Sequence, residues 1–232
     1  MTVDRRTLLT LAATSAAANL ATSPAAARSQ TPLAAPSRFQ PAPLGFDPTT
    51  VPGFSERLLA SHHQNNYGGA VRRLGQIADA FAALDPANTP GFTINGLKRE
   101  ELLAWNSMIL HELYFSGFGT PTPAGIGLGA ALERDFGSHD RWSAEFKAMG
   151  KALGGGSGWV LLTWSARDRR LVNQWAADHT MTLAGSTPIL ALDMYEHAYA
   201  LDYGANAGGY VEAFMKVVDW RAATALHGRL EP

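Results

Sequence analysis

The sequence predicts an α+β protein: an N-terminal long α-helical hairpin followed by a C-terminal mixed α/β domain with a small, three-stranded antiparallel sheet. Three observations carry this expectation. Apolar side chains recur at helical spacing before residue 119, with Leu58, Leu59, Val71, Leu74, Ile77 and Phe81 marking the first run. Between residues 158 and 192, short apolar runs of strand length replace that period. The Pro/Gly-rich stretch Thr120–Gly127 separates the two regimes.

Residues 1–27 stand outside the fold. Arg5-Arg6 precedes an Ala-rich apolar stretch to Leu20 and then Ala25-Ala26-Ala27, the layout of a twin-arginine-type signal peptide with a small-residue cleavage site. The stretch is too short and too rich in Ala, Thr and Ser to span a membrane, and no other run approaches that length. An exported, periplasmic protein with no membrane partner is therefore expected. Residues 28–52, rich in Pro, Ala, Ser and Thr, read as an extended leader.

Residues 53–119 form the expected helical hairpin. Ser55 is placed to cap a helix reaching about Phe81. Gly68-Gly69 lowers helix propensity by about 1 kcal/mol per Gly relative to Ala, which predicts a kink or close packing there. After the turn-rich break Asp85–Gly91, a second helix is expected from about Leu97 to Phe115, ended by Gly117 and Gly119. Residues 120–232 form the α/β half. It should hold short helices near Leu128–Phe136 and Arg141–Leu153, then strands at Gly158–Trp164 and Arg170–Ala176 joined by the polar turn Ser165–Arg169. A third strand at Pro188–Leu192 and one amphipathic helix over Ala207–Leu226 complete it.

Composition narrows the chemistry. At 232 residues with 46% apolar residues and a formal charge of −1, the chain can bury a core and shows no basic stripe for nucleic acid. Net charge leaves room for a local positive funnel toward a small anion. With no cysteine, disulfides, thiolate ligands and a cysteine nucleophile are excluded, so any metal is held by nitrogen and oxygen. Ser157 sits among glycines but precedes a strand, whereas a nucleophile elbow needs its serine between strand and helix. Those glycines also lack the Gly-Lys-Ser/Thr ending of a phosphate-binding loop.

The stretch Ala191–Tyr199, ALDMYEHAY, ends a strand and opens a helix in this reading. Asp193 and His197 lie four residues apart, so one helical turn could aim a carboxylate and an imidazole at one point. That pair suits iron or manganese, although a plain surface pair has the same spacing. The run resembles the DxWEHAY signature of iron/manganese superoxide dismutases. Arg134–Ser138 resembles that family's RDFGS run, Gly156–Trp159 its GSGW, and Gly209-Tyr210, Val217-Val218 and Trp220 its closing GY…VNW.

The resemblance implies one Fe or Mn ion per subunit held by His62, His111, Asp193 and His197, with superoxide as substrate and a homodimer as the assembly. His111 matches the ligand on the second long helix. For the first ligand, the family reads HHxKHHxxYVNNL, and His62-His63 fits its first pair without a gap. The other register would put Leu58 at the ligand position. His179 resembles the Gln or His beside the metal-bound solvent, where a donor would set that solvent's protonation, and Trp159 a wall of the pocket. Glu196 is implied to reach His197 of the partner subunit, and Tyr199 and His63 to stand around the centre.

The departures from the family concern the entrance. Its gateway Tyr and His become Ala70 and Asn66, a later Tyr becomes Ala200, its Trp between Asp and Glu becomes Tyr195, and a frequent basic residue becomes Gly204. Tyr67 and Tyr199 could partly substitute for the lost hydroxyls. Two functions follow from the resemblance: superoxide dismutation, or a metal-binding or scaffold protein of the same fold with little turnover.

Overall fold

The computed structural model describes residues 39–231; the paired-arginine segment and the first part of the leader lie outside the described residues. The first helix begins where the sequence places its cap. Ser55 accepts a hydrogen bond from the Leu58 amide and opens α1 (Glu56–Ser61). The helix then widens into a π turn over His62–Tyr67 before continuing as α2 (Gly68–Ala82). The irregularity expected at Gly68-Gly69 thus falls one turn earlier, and Gly68 closes it. Hydrogen bonding from i to i+5 adds a residue to that turn. As a result His62 and Tyr67, five apart, are both buried.

The second long helix, α3 (Gly91–Ser116), packs against α2 to complete the hairpin. It starts six residues before the expected Leu97, because extended Pro90 sets its beginning and the amides of Thr93 and Ile94 already bond to the Pro90 carbonyl. Two helices follow, α4 (Ile126–Phe136), ended by left-handed Gly137, and α5 (His139–Ala152), capped by Ser138. The sheet has the order β2-β1-β3, with β1 (Trp159–Ser165) central and both pairings antiparallel. β2 (Arg170–Ala176) lies on one side and β3 (Ser186–Asp193) on the other, β3 starting two residues before the expected Pro188. Helices α3 and α5 cover this sheet, so β1 is buried along its whole length.

Register matters at one end of the sheet. Trp159 stands opposite both Ala176 and Asp193, so the strand ends converge there. Gly158 makes that convergence possible: its φ of +136° lies in the region side chains avoid, and a Cβ would stand 2.2 Å from the Ala176 carbonyl oxygen. Its own carbonyl accepts the Met194 amide at 2.9 Å, beside Asp193.

Beyond β3 the chain does not enter a regular helix. A 3₁₀ turn, Glu196–Ala198, precedes the short α6 (Ala200–Tyr203). The single C-terminal helix expected from periodicity is two, α7 (Ala207–Val217) and α8 (Arg221–Leu230). The break has a tertiary cause. The Asp219 amide donates to the Gly117 carbonyl at 2.8 Å, and Phe118 bridges to Val218. The Asp219 carboxylate, nearly buried, accepts from the Thr122 hydroxyl, the Arg221 amide and the Arg221 guanidinium. Hydrogen bonds from Arg221 hold this carboxyl below the usual carboxylate range against the opposing effect of burial.

Two outcomes follow from these contacts. Gly158→Ala should cost about 2–4 kcal/mol in denaturant unfolding, because neither the Ala176 carbonyl nor the φ can adjust without moving β2. The Asp219 carboxyl has a lower pKa folded than unfolded. Its stabilisation is therefore full above the unfolded value of about 4 and is lost as pH falls through the folded value. The stability gap between the natural chain and Asp219→Asn should thus narrow in urea melts taken from about pH 6 down to about pH 3.

Candidate metal centre

Four elements each deliver one side chain to a common point. The π turn presents His62, α3 presents His111, the last residue of β3 is Asp193, and the following 3₁₀ turn presents His197. One ligand atom from each lies within 4.8 Å of all the others. The Nε2 atoms of His62, His111 and His197 stand 3.2, 3.6 and 3.2 Å from Asp193 Oδ2. Two ligands each about 2.1 Å from one ion are about 3.0 Å apart at a right angle and about 3.6 Å apart at a trigonal angle. The observed spacings fall between these values. His62 is a member of this cluster and Leu58 is not.

The donor atoms have the chemistry a metal requires. Nε2 of His62 and Nε2 of His111 are buried without a hydrogen-bond partner, a costly condition unless another group occupies their lone pairs. Burial pushes the His111 imidazole down to about 3 and lowers His62 as well, so both rings are neutral at physiological pH. Burial alone would raise the Asp193 carboxyl, but the His197 and His62 imidazoles beside Oδ2 hold it well below the usual carboxylate range. Three imidazoles and one carboxylate, with no sulfur, form a set suited to iron or manganese.

Neighbouring groups orient these side chains. His111 Nδ1 donates to the Ser107 carbonyl one turn back at 2.6 Å, which fixes the tautomer with Nε2 toward the cluster. Asp193 Oδ1 accepts the Tyr195 amide at 2.9 Å, and the Asp193 carbonyl accepts the Tyr210 hydroxyl at 2.6 Å. Trp159, fully buried, stands edge-on to His111 at 5.2 Å, and its Nε1 donates to His179 Nδ1 at 2.9 Å. Asn106 donates to the His179 carbonyl, tying that loop to α3. The Tyr195 ring stacks on both His179 and His197, at 4.9 and 5.4 Å.

The remaining sequence-derived residues divide. Tyr199 is buried, stacked on Tyr210, with its hydroxyl accepting the Gly155 amide at 3.3 Å, so it braces the Tyr210–Asp193 contact from behind. His63 turns away from the cluster and bonds through Nε2 to the Ala42 carbonyl of the leader at 2.8 Å. Tyr67 follows it: its hydroxyl donates to Glu112 and accepts the Ala42 amide. Neither Tyr67 nor Tyr199 therefore supplies the missing gateway hydroxyl. Glu196 is exposed, and although its carbonyl accepts the Tyr199 amide, its carboxylate has no hydrogen-bond or ion-pair partner among the described residues.

Sequence reasoning did not identify Ser107, Asn106 or Tyr195 as orienting groups. Ser107 acts through its backbone carbonyl, which carries no residue-specific signal. Asn106 lies one residue before it, and its partner is 73 residues away in sequence.

A buried three-histidine, one-aspartate centre between a helical hairpin and a small antiparallel sheet defines a mononuclear metalloprotein. Residues 123–226 match the family described as iron/manganese superoxide dismutases, C-terminal domain. An iron superoxide dismutase of Cupriavidus metallidurans is 63% identical over 187 residues, covering 80% of this chain and 95% of the relative. A manganese superoxide dismutase of Halobacterium salinarum is 35% identical over 201 residues, covering 81% and 94%. An iron superoxide dismutase of Aquifex pyrophilus is 33% identical over 184 residues, covering 75% and 84%. The chain belongs to the iron/manganese superoxide dismutase family, and the cofactor this implies is one Fe or Mn ion per subunit.

Proposed function

We propose that this protein dismutates superoxide at a single iron ion held by His62, His111, Asp193 and His197. The observation that carries this reading is the convergence of those four donors, two of them buried and otherwise unpartnered. Iron is chosen over manganese because the 63% identical relative is an iron enzyme, whereas the manganese relative stands at 35%. The one-electron couple is supplied by the bound ion: two superoxide anions and two protons become O₂ and H₂O₂.

The chain's own residues would do the rest. A ligand set of three imidazoles and a single carboxylate would keep the net charge of the site low enough to accommodate a 2+/3+ couple. His179 accepts from Trp159 at Nδ1, so its neutral ring carries the proton on Nε2 and offers a donor beside the centre. Trp159 and Tyr195 close the surroundings of His111 and His197 with aromatic surface and exclude water. The lost gateway hydroxyl also motivates the rival reading, a metal-binding protein with little turnover. Ala70 and Asn66 line the approach where a Tyr and a His would otherwise stand.

The assembly is proposed as a homodimer closed over Glu196. His197 retains 27% side-chain exposure while the other three donors retain 1% or less, and unpaired Glu196 and exposed Leu201 flank it. Export across a membrane is proposed from the paired arginines and small-residue site in residues 1–27. Among the described residues, no helix is long and apolar enough to cross a membrane.

Two experiments test these readings. His111→Ala should lose at least about 100-fold in dismutation together with its metal, whereas the natural chain reconstituted with iron should exceed that reconstituted with manganese. Stoichiometric iron with negligible dismutation by the natural chain would favour the rival instead. Separately, the protein should appear in the periplasmic fraction with the mass of a dimer by light scattering. Arg5→Lys with Arg6→Lys should retain it in the cytoplasm, and Glu196→Ala should weaken the dimer.

A further inference from the structure

Two cavities open near the four-residue cluster, one lined by His197 itself and the other by its neighbours Ser107 and His179, and their electrostatics differ. One, of about 440 Å³, is lined by Leu58, Ser61, Glu196, His197, Ala200 and Leu201. Its charged wall is the Glu196 carboxylate, which repels an anion. The other, of about 430 Å³, ends on His179 and Ser107, with Asn66, Ala70 and Ala104 along its sides and Arg73 among its lining residues. No acid lines this second cavity. Exposure falls along it from the Arg73 side chain at 59% to Ser107 at 8% and Ala104 at 3%, so Arg73 stands at the mouth and the others lie deep. At the floor, the Ser107 carbonyl is the group that orients His111.

Arg73 is held by an ion pair with Glu100 of α3, which in turn meets Arg99 at 3.3 Å. Two cations therefore share one carboxylate at this rim. The family's basic position near the entrance is Gly204 here, which carries no charge. We propose that Arg73 is the residue that draws the substrate anion into this cavity, with Glu100 restraining its field. The inference rests on the dismutase reading and adds to it the residue that draws the anion into the approach already described. A monoanion approaching the second cavity meets a guanidinium at the mouth and amide and hydroxyl groups of Asn66 and Ser107 inside. Approaching the first, it meets Glu196. A fixed surface charge of this kind acts on association and is screened by salt over a distance of about 10 Å at 0.1 M.

The test uses azide, a small monoanion, as a binding probe on the iron-loaded protein, read by its optical change, alongside kcat/KM for superoxide. Arg73→Gln should lower azide affinity and kcat/KM about 3- to 10-fold at low ionic strength, with the deficit shrinking toward 0.5 M salt. Arg73→Lys should restore most of the loss. Glu100→Gln should shift both quantities the opposite way, while Arg229→Gln on α8, an equal change of net charge away from both cavities, should leave them unchanged. The proposal is overturned if Arg73→Gln behaves like Arg229→Gln, or if its deficit persists undiminished at high salt. Natural protein whose azide binding depends on Arg73 but which does not dismutate superoxide would defeat the dismutase reading and leave the anion route standing.

Discussion

The structure is organised around one buried carboxylate. Asp193 has no solvent exposure, and removing an ion from water costs several kcal/mol even after a protein relaxes around it. That cost is offset only where partners converge on both oxygens. Oδ1 takes the Tyr195 amide and Oδ2 faces three imidazole nitrogens, each carried by a different element. The hairpin and the sheet must therefore meet before the carboxylate is compensated. Folding of the two halves and assembly of the centre are consequently linked, and metal affinity is in part folding free energy.

Around this centre, orientation is set by groups that never touch the metal position. The Ser107 carbonyl holds the tautomer of His111, Tyr210 holds the backbone of Asp193, and the Trp159–His179–Tyr195 cluster joins the sheet, its following loop and the 3₁₀ turn. Gly158 lets the ends of β1, β2 and β3 draw close enough for Trp159 to stand beside both Asp193 and His111. Small backbone adjustments at a strand end thus decide where a ligand points.

The entrance is where this chain differs most from what its family resemblance implies. The π turn carries His62 inward and then aims His63 and Tyr67 at the leader, where both bond to Ala42. Tyr67 is thereby committed to Glu112, and both line a different cavity from the one that Arg73 borders. The cavity is lined by amide, hydroxyl, imidazole and guanidinium groups in place of a gateway phenol.

Much of this was legible in the sequence, because the signals concerned are local. Helical and strand periods placed the hairpin and all three strands, Ser55 announced a cap, and motif resemblance pointed to the family and to the four residues that the fold brings together. Other features depended on contacts distant in sequence. The C-terminal helix breaks at Val218–Trp220 because Asp219 is bonded to Gly117 and Thr122, a constraint invisible to periodicity. Asp193 and His197 converge through a strand end and a 3₁₀ turn, where a helical reading of i, i+4 expected one turn of helix. The sequence by itself determined which residues could hold a metal, since donor chemistry and pattern are properties of the chain. Tertiary structure alone decided that they meet at one buried point and which way Tyr67, His63 and Arg73 face, because side-chain direction follows from packing between segments distant in sequence.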